Sequence, residues 1–141
     1  SVKQKYIYYD AWREARSANI AFSSFCDPLG LGIIHSYQLF SYAQRQGRDI
    51  EYIGKVFEAI YVKGLDVAKE SVLQMICAEL DIDYHAAKEY DLSHDWQQWA
   101  DNHQIELDAM GFWGVPCFKY QDTCVWGQDR LMQIEQALLS Q

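Results

Sequence analysis

The chain has 141 residues, half of them apolar and 15% aromatic, enough to bury a sizeable core and too apolar for disorder. Its 12 Lys and Arg stand against 20 Asp and Glu, a formal net charge of -8, and no basic face is visible, which argues against nucleic acid as a partner. The apolar runs are only a few residues long and Ser1-Val2-Lys3-Gln4-Lys5 lacks the hydrophobic region of a secretory signal, so a soluble cytoplasmic protein with no membrane partner is expected.

From Lys3 to Ala18, Tyr6, Ile7, Ala11 and Trp12 recur at helical spacing, with Tyr9 and Ala15 at the edges and Glu14 and Arg16 away from the stripe. This predicts an amphipathic helix that stops at Asn19. Residues 20–25 read as a short extended segment, and Asp27-Pro28 with Gly30-Leu31-Gly32 as a loop. A long helical region follows, divided at Gly47, at Gly64 and around Asp81-Ile82-Asp83. The expected helices are 33–46, 50–63, 69–80, 84–90 and 94–109.

Beyond Met110 the texture changes. Gly111-Phe112-Trp113-Gly114-Val115-Pro116 is a glycine-punctuated loop, Cys117–Tyr120 and Thr123–Trp126 are β-prone runs around a two-residue turn, and 127–140 is a final helix. Two strands are marginal in water, so something is expected to complete their sheet.

Cys26, Cys77, Cys117 and Cys124 form no C-x-x-C pair and no zinc spacing, and read as structural or bystander thiols. A turn at Gln121-Asp122 sets Lys119 opposite Cys124 and Cys117 opposite Trp126, which leaves the hairpin's two sulfurs on a diagonal and unpaired. His35, His85, His94 and His103 show no metal or triad spacing. Trp96, Trp99, Trp113 and Trp126 read as packing residues.

The run from Gly111 to Phe118, then a hairpin, then Trp126-Gly127-Gln128-Asp129-Arg130-Leu131, resembles the C-terminal signature of the 2-hydroxychromene-2-carboxylate isomerase and kappa-class glutathione transferase family. Lys3 and Tyr6, with Asp10 four residues on, resemble that family's K-x-x-Y-x-x-x-D helix. The segment from Phe57 to Val67, with Val72-Leu73, is similar to the helical insertion shared with DsbA-like proteins.

The resemblance implies an α/β, thioredoxin-like fold of DsbA type whose N-terminal β-α-β unit is absent here, leaving a mostly α chain with a C-terminal β-hairpin and helix. Residues 1-110 would be the helical insertion region with the K-x-x-Y helix, and 111-141 the C-terminal β-β-α part of the thioredoxin-like domain. The family keeps its catalytic Ser, or Cys in the oxidoreductase branches, in the absent unit, so no catalytic residue is expected in this chain and the fragment alone is expected to be inactive.

By the same resemblance the cofactor is glutathione. Val115 and a cis Pro116 would meet its cysteinyl part, Gln128 and Asp129 its γ-glutamyl end, and Lys3 would reach the site. Phe112 and Trp113 are candidates for the pocket of an aromatic-pathway substrate, and a homodimer is a candidate assembly. The chemistry implied is reversible addition of a Ser-stabilised glutathione thiolate to a conjugated substrate. Alternatives are a DsbA-like thiol-disulfide oxidoreductase and a non-catalytic interaction module. Two departures stand out: Cys117 follows the proline where Thr is commoner, and Ser36-Tyr37-Gln38-Leu39 lacks a basic residue often seen in relatives.

Overall fold

Five helices, α1 (Val2–Ser17), α2 (Leu31–Arg45), α3 (Asp49–Tyr61), α4 (Glu70–Glu79) and α5 (Tyr84–Ser93), make up most of residues 2–93 of a computed structural model that describes residues 2–93 and 96–140. The remainder holds α6 (Trp96–Ala109), β1 (Cys117–Tyr120), β2 (Thr123–Trp126), a 3-10 turn at Gln128–Arg130 and α7 (Leu131–Leu139). Two compact units divide the chain, Ser1–Trp96 and Gln97–Gln141. His94, the expected start of the sixth helix, lies outside the described residues.

Four helices end alike. After α1, α2, α4 and α6 the chain turns through a positive φ at Asn19 (55°), Gly47 (68°), Asp81 (55°) and Gly111 (79°). In each case the next amide reaches back to a carbonyl of the last turn, Ile20 to Ala15, Arg48 to Ala43, Ile82 to Cys77 and Phe112 to Leu107. This closure satisfies carbonyls that a helix end leaves without partners. The start of α5 is held by Asp83, whose Oδ1 accepts from the amides of His85 and Ala86 at 2.9 and 3.0 Å, a side-chain cap.

The core of the first unit comes from α2 to α5. Leu39 and Ala43 on α2, Tyr52, Val56, Ala59 and Ile60 on α3, Leu73, Ile76 and Cys77 on α4, and Ala87 on α5 are buried together with Val67, Leu80 and Ile82 from the connections. Tyr52 is 2% exposed, and its hydroxyl donates to the Ser36 carbonyl at 2.9 Å, so the one polar atom of this large side chain is satisfied. Burial pushes that phenol's pKa far up, and it stays neutral.

Residues 20–25 join no sheet. They run along the end of α3, where the amides of Ser23 and Ser24 donate to Tyr61 and that of Cys26 to Ile60, while the Ser23 hydroxyl donates to Val62 at 2.8 Å. The orphan carbonyls of α3 attract this strap in place of a sheet partner. Gly64, at φ 62°, passes so close that a Cβ there would overlap the Ser24 side chain.

The stripe expected on α1 exists but is uncovered: Tyr6, Ile7 and Tyr9 are each more than half exposed. Tyr8 turns inward, against Phe22 and Phe25. The periodicity marks the face correctly, since it is continuous along the helix.

A ring of alternating charge joins α3 to α4. Lys55 Nζ lies 2.9 Å from Glu58 and 2.8 Å from Glu79, and Lys63 Nζ lies 3.0 Å from Glu58 and 3.6 Å from Glu79. Hydrogen bonds from Lys55, then Lys63, lower the Glu58 carboxyl from its ordinary 4.5, and the Lys55 bond lowers Glu79. A carboxyl depressed in the folded state adds stability above its unfolded pKa and loses it as pH falls through the folded value. Thermal midpoints are therefore expected to drop as pH falls from about 5 to about 3, with a shallower slope in Glu79→Gln and at about 1 M salt. An unchanged slope in Glu79→Gln would show that the ring contributes nothing.

Candidate functional site

The second unit begins within α6, at Gln97. The helix's closing residue Phe112 is 8% exposed, so this aromatic anchors the helix end. Trp113 is 76% exposed and forms a tilted pair with Trp126, ring centroids 5.9 Å apart at 44°. Of the two aromatics expected to line a pocket, Trp113 is the open one. Trp126, read from sequence as packing, is half exposed beside it. Trp96 does pack, stacked on Tyr37 with centroids 6.1 Å apart.

Two hydrogen bonds tie the loop from Gly114 to Pro116. Cys117 donates its thiol hydrogen to the Gly114 carbonyl, and a Cβ on Gly114 would come 3.1 Å from Trp126 Nε1. The Val115-Pro116 bond is cis. Pro116 carries its carbonyl to the Gly127 amide at 3.0 Å, which extends the hairpin ladder by one step beyond Cys117↔Trp126.

That register is the one the two-residue turn implies. Phe118 faces Val125 and Lys119 faces Cys124, and Cys117 and Cys124 are free thiols, as the diagonal requires. Burial of Val125 at 6% fixes the inward face of the hairpin.

Val115 is 72% exposed, and among the described residues neither its N–H nor its C=O takes part in a hydrogen bond. Across the ladder, Gly127 turns at φ 98° into the 3-10 turn Gln128–Arg130. The final helix therefore starts at Leu131, four residues later than the periodicity suggests. Gly127 imposes this delay, because its backbone conformation is one helices do not use.

Within the turn, Asp129 folds its carboxylate back over Gly127, where a Cβ would sit 2.5 Å from Oδ1. Its other oxygen accepts from Arg130 Nε at 3.2 Å. Gln128 is exposed and free for an incoming group. Val115, Pro116, Gln128 and Asp129 thus share one corner of the second unit. Lys3 belongs to the first unit, exposed on the first turn of α1.

Chemically the corner offers a backbone donor and acceptor on an open strand edge, with a carboxylate and an amide one ladder step away. Among the described residues no group of three His, Cys, Asp or Glu could hold a metal ion, and no helix is long and apolar enough to cross a membrane.

The family model of the DSBA-like thioredoxin domain matches residues 1–139. Among solved structures, the selenomethionine form of a 2-hydroxychromene-2-carboxylate isomerase (HCCA isomerase) superposes with a TM-score of 0.80 at 23% identity, over 97% of this chain and 66% of that one. At that identity the likeness is one of fold, and the chain spans just under two thirds of that structure's length. No curated protein matches by sequence.

Proposed function

The chain belongs to the DSBA-like thioredoxin family, and on that premise we propose that it forms the larger part of a glutathione-dependent isomerase or transferase, of the 2-hydroxychromene-2-carboxylate isomerase type. The observation that carries this reading is the hydrogen bond from the Gly127 amide to the Pro116 carbonyl. It joins an open peptide edge at Val115 to the turn that carries Gln128 and Asp129. On this reading a γ-linked tripeptide spans the corner from Val115 to Asp129.

On this reading Val115 pairs its N–H and C=O with the cysteinyl residue, as one strand does with another. Asp129 accepts from the γ-glutamyl ammonium, and Gln128 donates to the adjoining carboxylate. Lys3 would supply a further cation. Trp113 and Trp126 offer two apolar ring faces, tilted against each other, to an aromatic-pathway substrate and keep water from it.

Glutathione would bring a nucleophilic sulfur, which as a free thiol near pKa ~8.5 is mostly protonated at neutral pH. The group that stabilises its thiolate is, on this reading, a Ser supplied by residues outside this sequence. A cytoplasmic setting suits four free cysteines. Thiol-disulfide exchange is the second reading, favoured by the Cys117 thiol next to Pro116; a C-x-x-C upstream would decide for it.

Calorimetric titration of the protein, with its upstream residues in place, tests the proposal. Glutathione should bind saturably and cysteinylglycine, which lacks the γ-glutamyl group, should not. Equal binding of the two would remove Gln128 and Asp129 from the site, and no saturable heat for glutathione would sink the proposal.

A further inference from the structure

A cavity of about 240 Å³ lies in the first unit and is lined by His35 from α2, Glu70 and Leu73 from α4, and Tyr84 and Lys88 from α5. Four titratable side chains from three helices converge on it. Their hydrogen bonds show which are already committed.

His35 Nδ1 is 2.9 Å from the Ala68 carbonyl oxygen. A carbonyl only accepts, so Nδ1 carries the hydrogen and Nε2 is the ring's open position. Glu70 accepts from Gln74 at 3.3 Å. Burial, helped by the Glu70 charge, pushes the Tyr84 phenol up to about 12, so it stays protonated.

Lys88 is different. Its ammonium has one long contact, 3.4 Å to Gln38 Oε1, and among the described residues no carboxylate within 4.0 Å. Yet it is half-buried, in a chain with 20 acidic residues. Lys55, also half-buried, and the more exposed Lys63 each contact two carboxylates. A half-buried ammonium with three donors and one weak acceptor is a place for an anion.

We propose that this cavity binds a small monocarboxylic acid, its carboxylate on Lys88 and its apolar body over Leu73. One cation balances one negative charge, and Glu70 at the wall together with the net charge of -8 disfavours a dianion such as phosphate. The volume equals about eight waters at ~30 Å³ each, which suits a body the size of a single ring. Leu73 is 2% exposed and gives the floor its apolar character. The site is independent of the glutathione reading, since none of its residues lies in the second unit.

An amide-resolved NMR titration of the chain with sodium benzoate tests it, with benzamide and benzylammonium as neutral and cationic counterparts of the same shape. Benzoate should shift the amides of residues 70–73 and 84–88 and saturate in the range of about 1–10 mM, as expected for so few atoms. Lys88→Met should weaken this at least about tenfold and Lys88→Arg should retain it. The proposal fails if benzamide or benzylammonium shifts the same amides as strongly. It fails equally if Lys88→Met binds like the parent, or if benzoate shows no saturation by about 100 mM. Should Lys88→Met lose its fold, loss of binding in a folded Lys88→Arg would overturn the assignment.

Discussion

Replacing Asp129 by Ala, in the protein with its upstream residues in place, is expected to weaken glutathione binding about ten- to hundredfold while leaving the melting temperature nearly unchanged. The loss corresponds to one charge-assisted hydrogen bond of ~1.5–3 kcal/mol to the γ-glutamyl ammonium. The small effect on folding follows from exposure: the Asp129 and Arg130 side chains are 72% and 58% exposed in their mutual pair. Pairs so open to solvent contribute about 0–1 kcal/mol.

The same pair gives the experiment a control. Arg130 competes with ligand for Asp129 Oδ2, so Arg130→Ala should bind glutathione at least as tightly as the parent. Titration calorimetry and a thermal melt on each variant separate the roles. A lower melting temperature with unchanged affinity in Asp129→Ala would reduce this residue to a turn former.

The second large effect concerns the core. Leu39 is 1% exposed at the centre of the α2 to α5 cluster, and Leu39→Ala is expected to cost about 2–5 kcal/mol through lost burial and the cavity left behind. Set against a typical total of about 5–15 kcal/mol, this brings the first unit close to unfolding. Ile50, on the neighbouring helix but 75% exposed, should tolerate Ala within about 0.5 kcal/mol. Urea titrations followed by circular dichroism compare the two at unchanged slope. A Leu39→Ala shift no larger than that of Ile50→Ala would mean that the core lies elsewhere.

Where the structure could be read from sequence, the reason is local. Asn19, Gly47 and Gly111 close helices because they tolerate a positive φ, and each was visible as a stop. The hairpin register followed from the length of its turn, and with it the unpaired state of Cys117 and Cys124. Family resemblance, carried by the loop before Pro116 and the run after Trp126, gave the DsbA-like fold.

Non-local relations were illegible. Periodicity placed an apolar stripe on α1 without saying that it would be uncovered, because a pattern reports the face and not its partner. The strap at 20–25 answers carbonyls some 35 residues downstream, which no window of sequence contains. The late start of α7 depends on the φ of Gly127, and glycine leaves that angle open. His35, Glu70, Tyr84 and Lys88 converge only once three helices have packed.

The strap has a consequence for how the first unit breathes. The amides of Ser23, Ser24 and Cys26 depend on carbonyls at the end of α3, so the strap cannot detach without exposing that helix end. Nor can the last turn of α3 fray while the strap is docked. Hydrogen–deuterium exchange would find these amides leaving protection together, as one cooperative opening. A protease that cleaves between α1 and α2 would therefore wait on the same event, and its rate would report the stability of a helix it never touches.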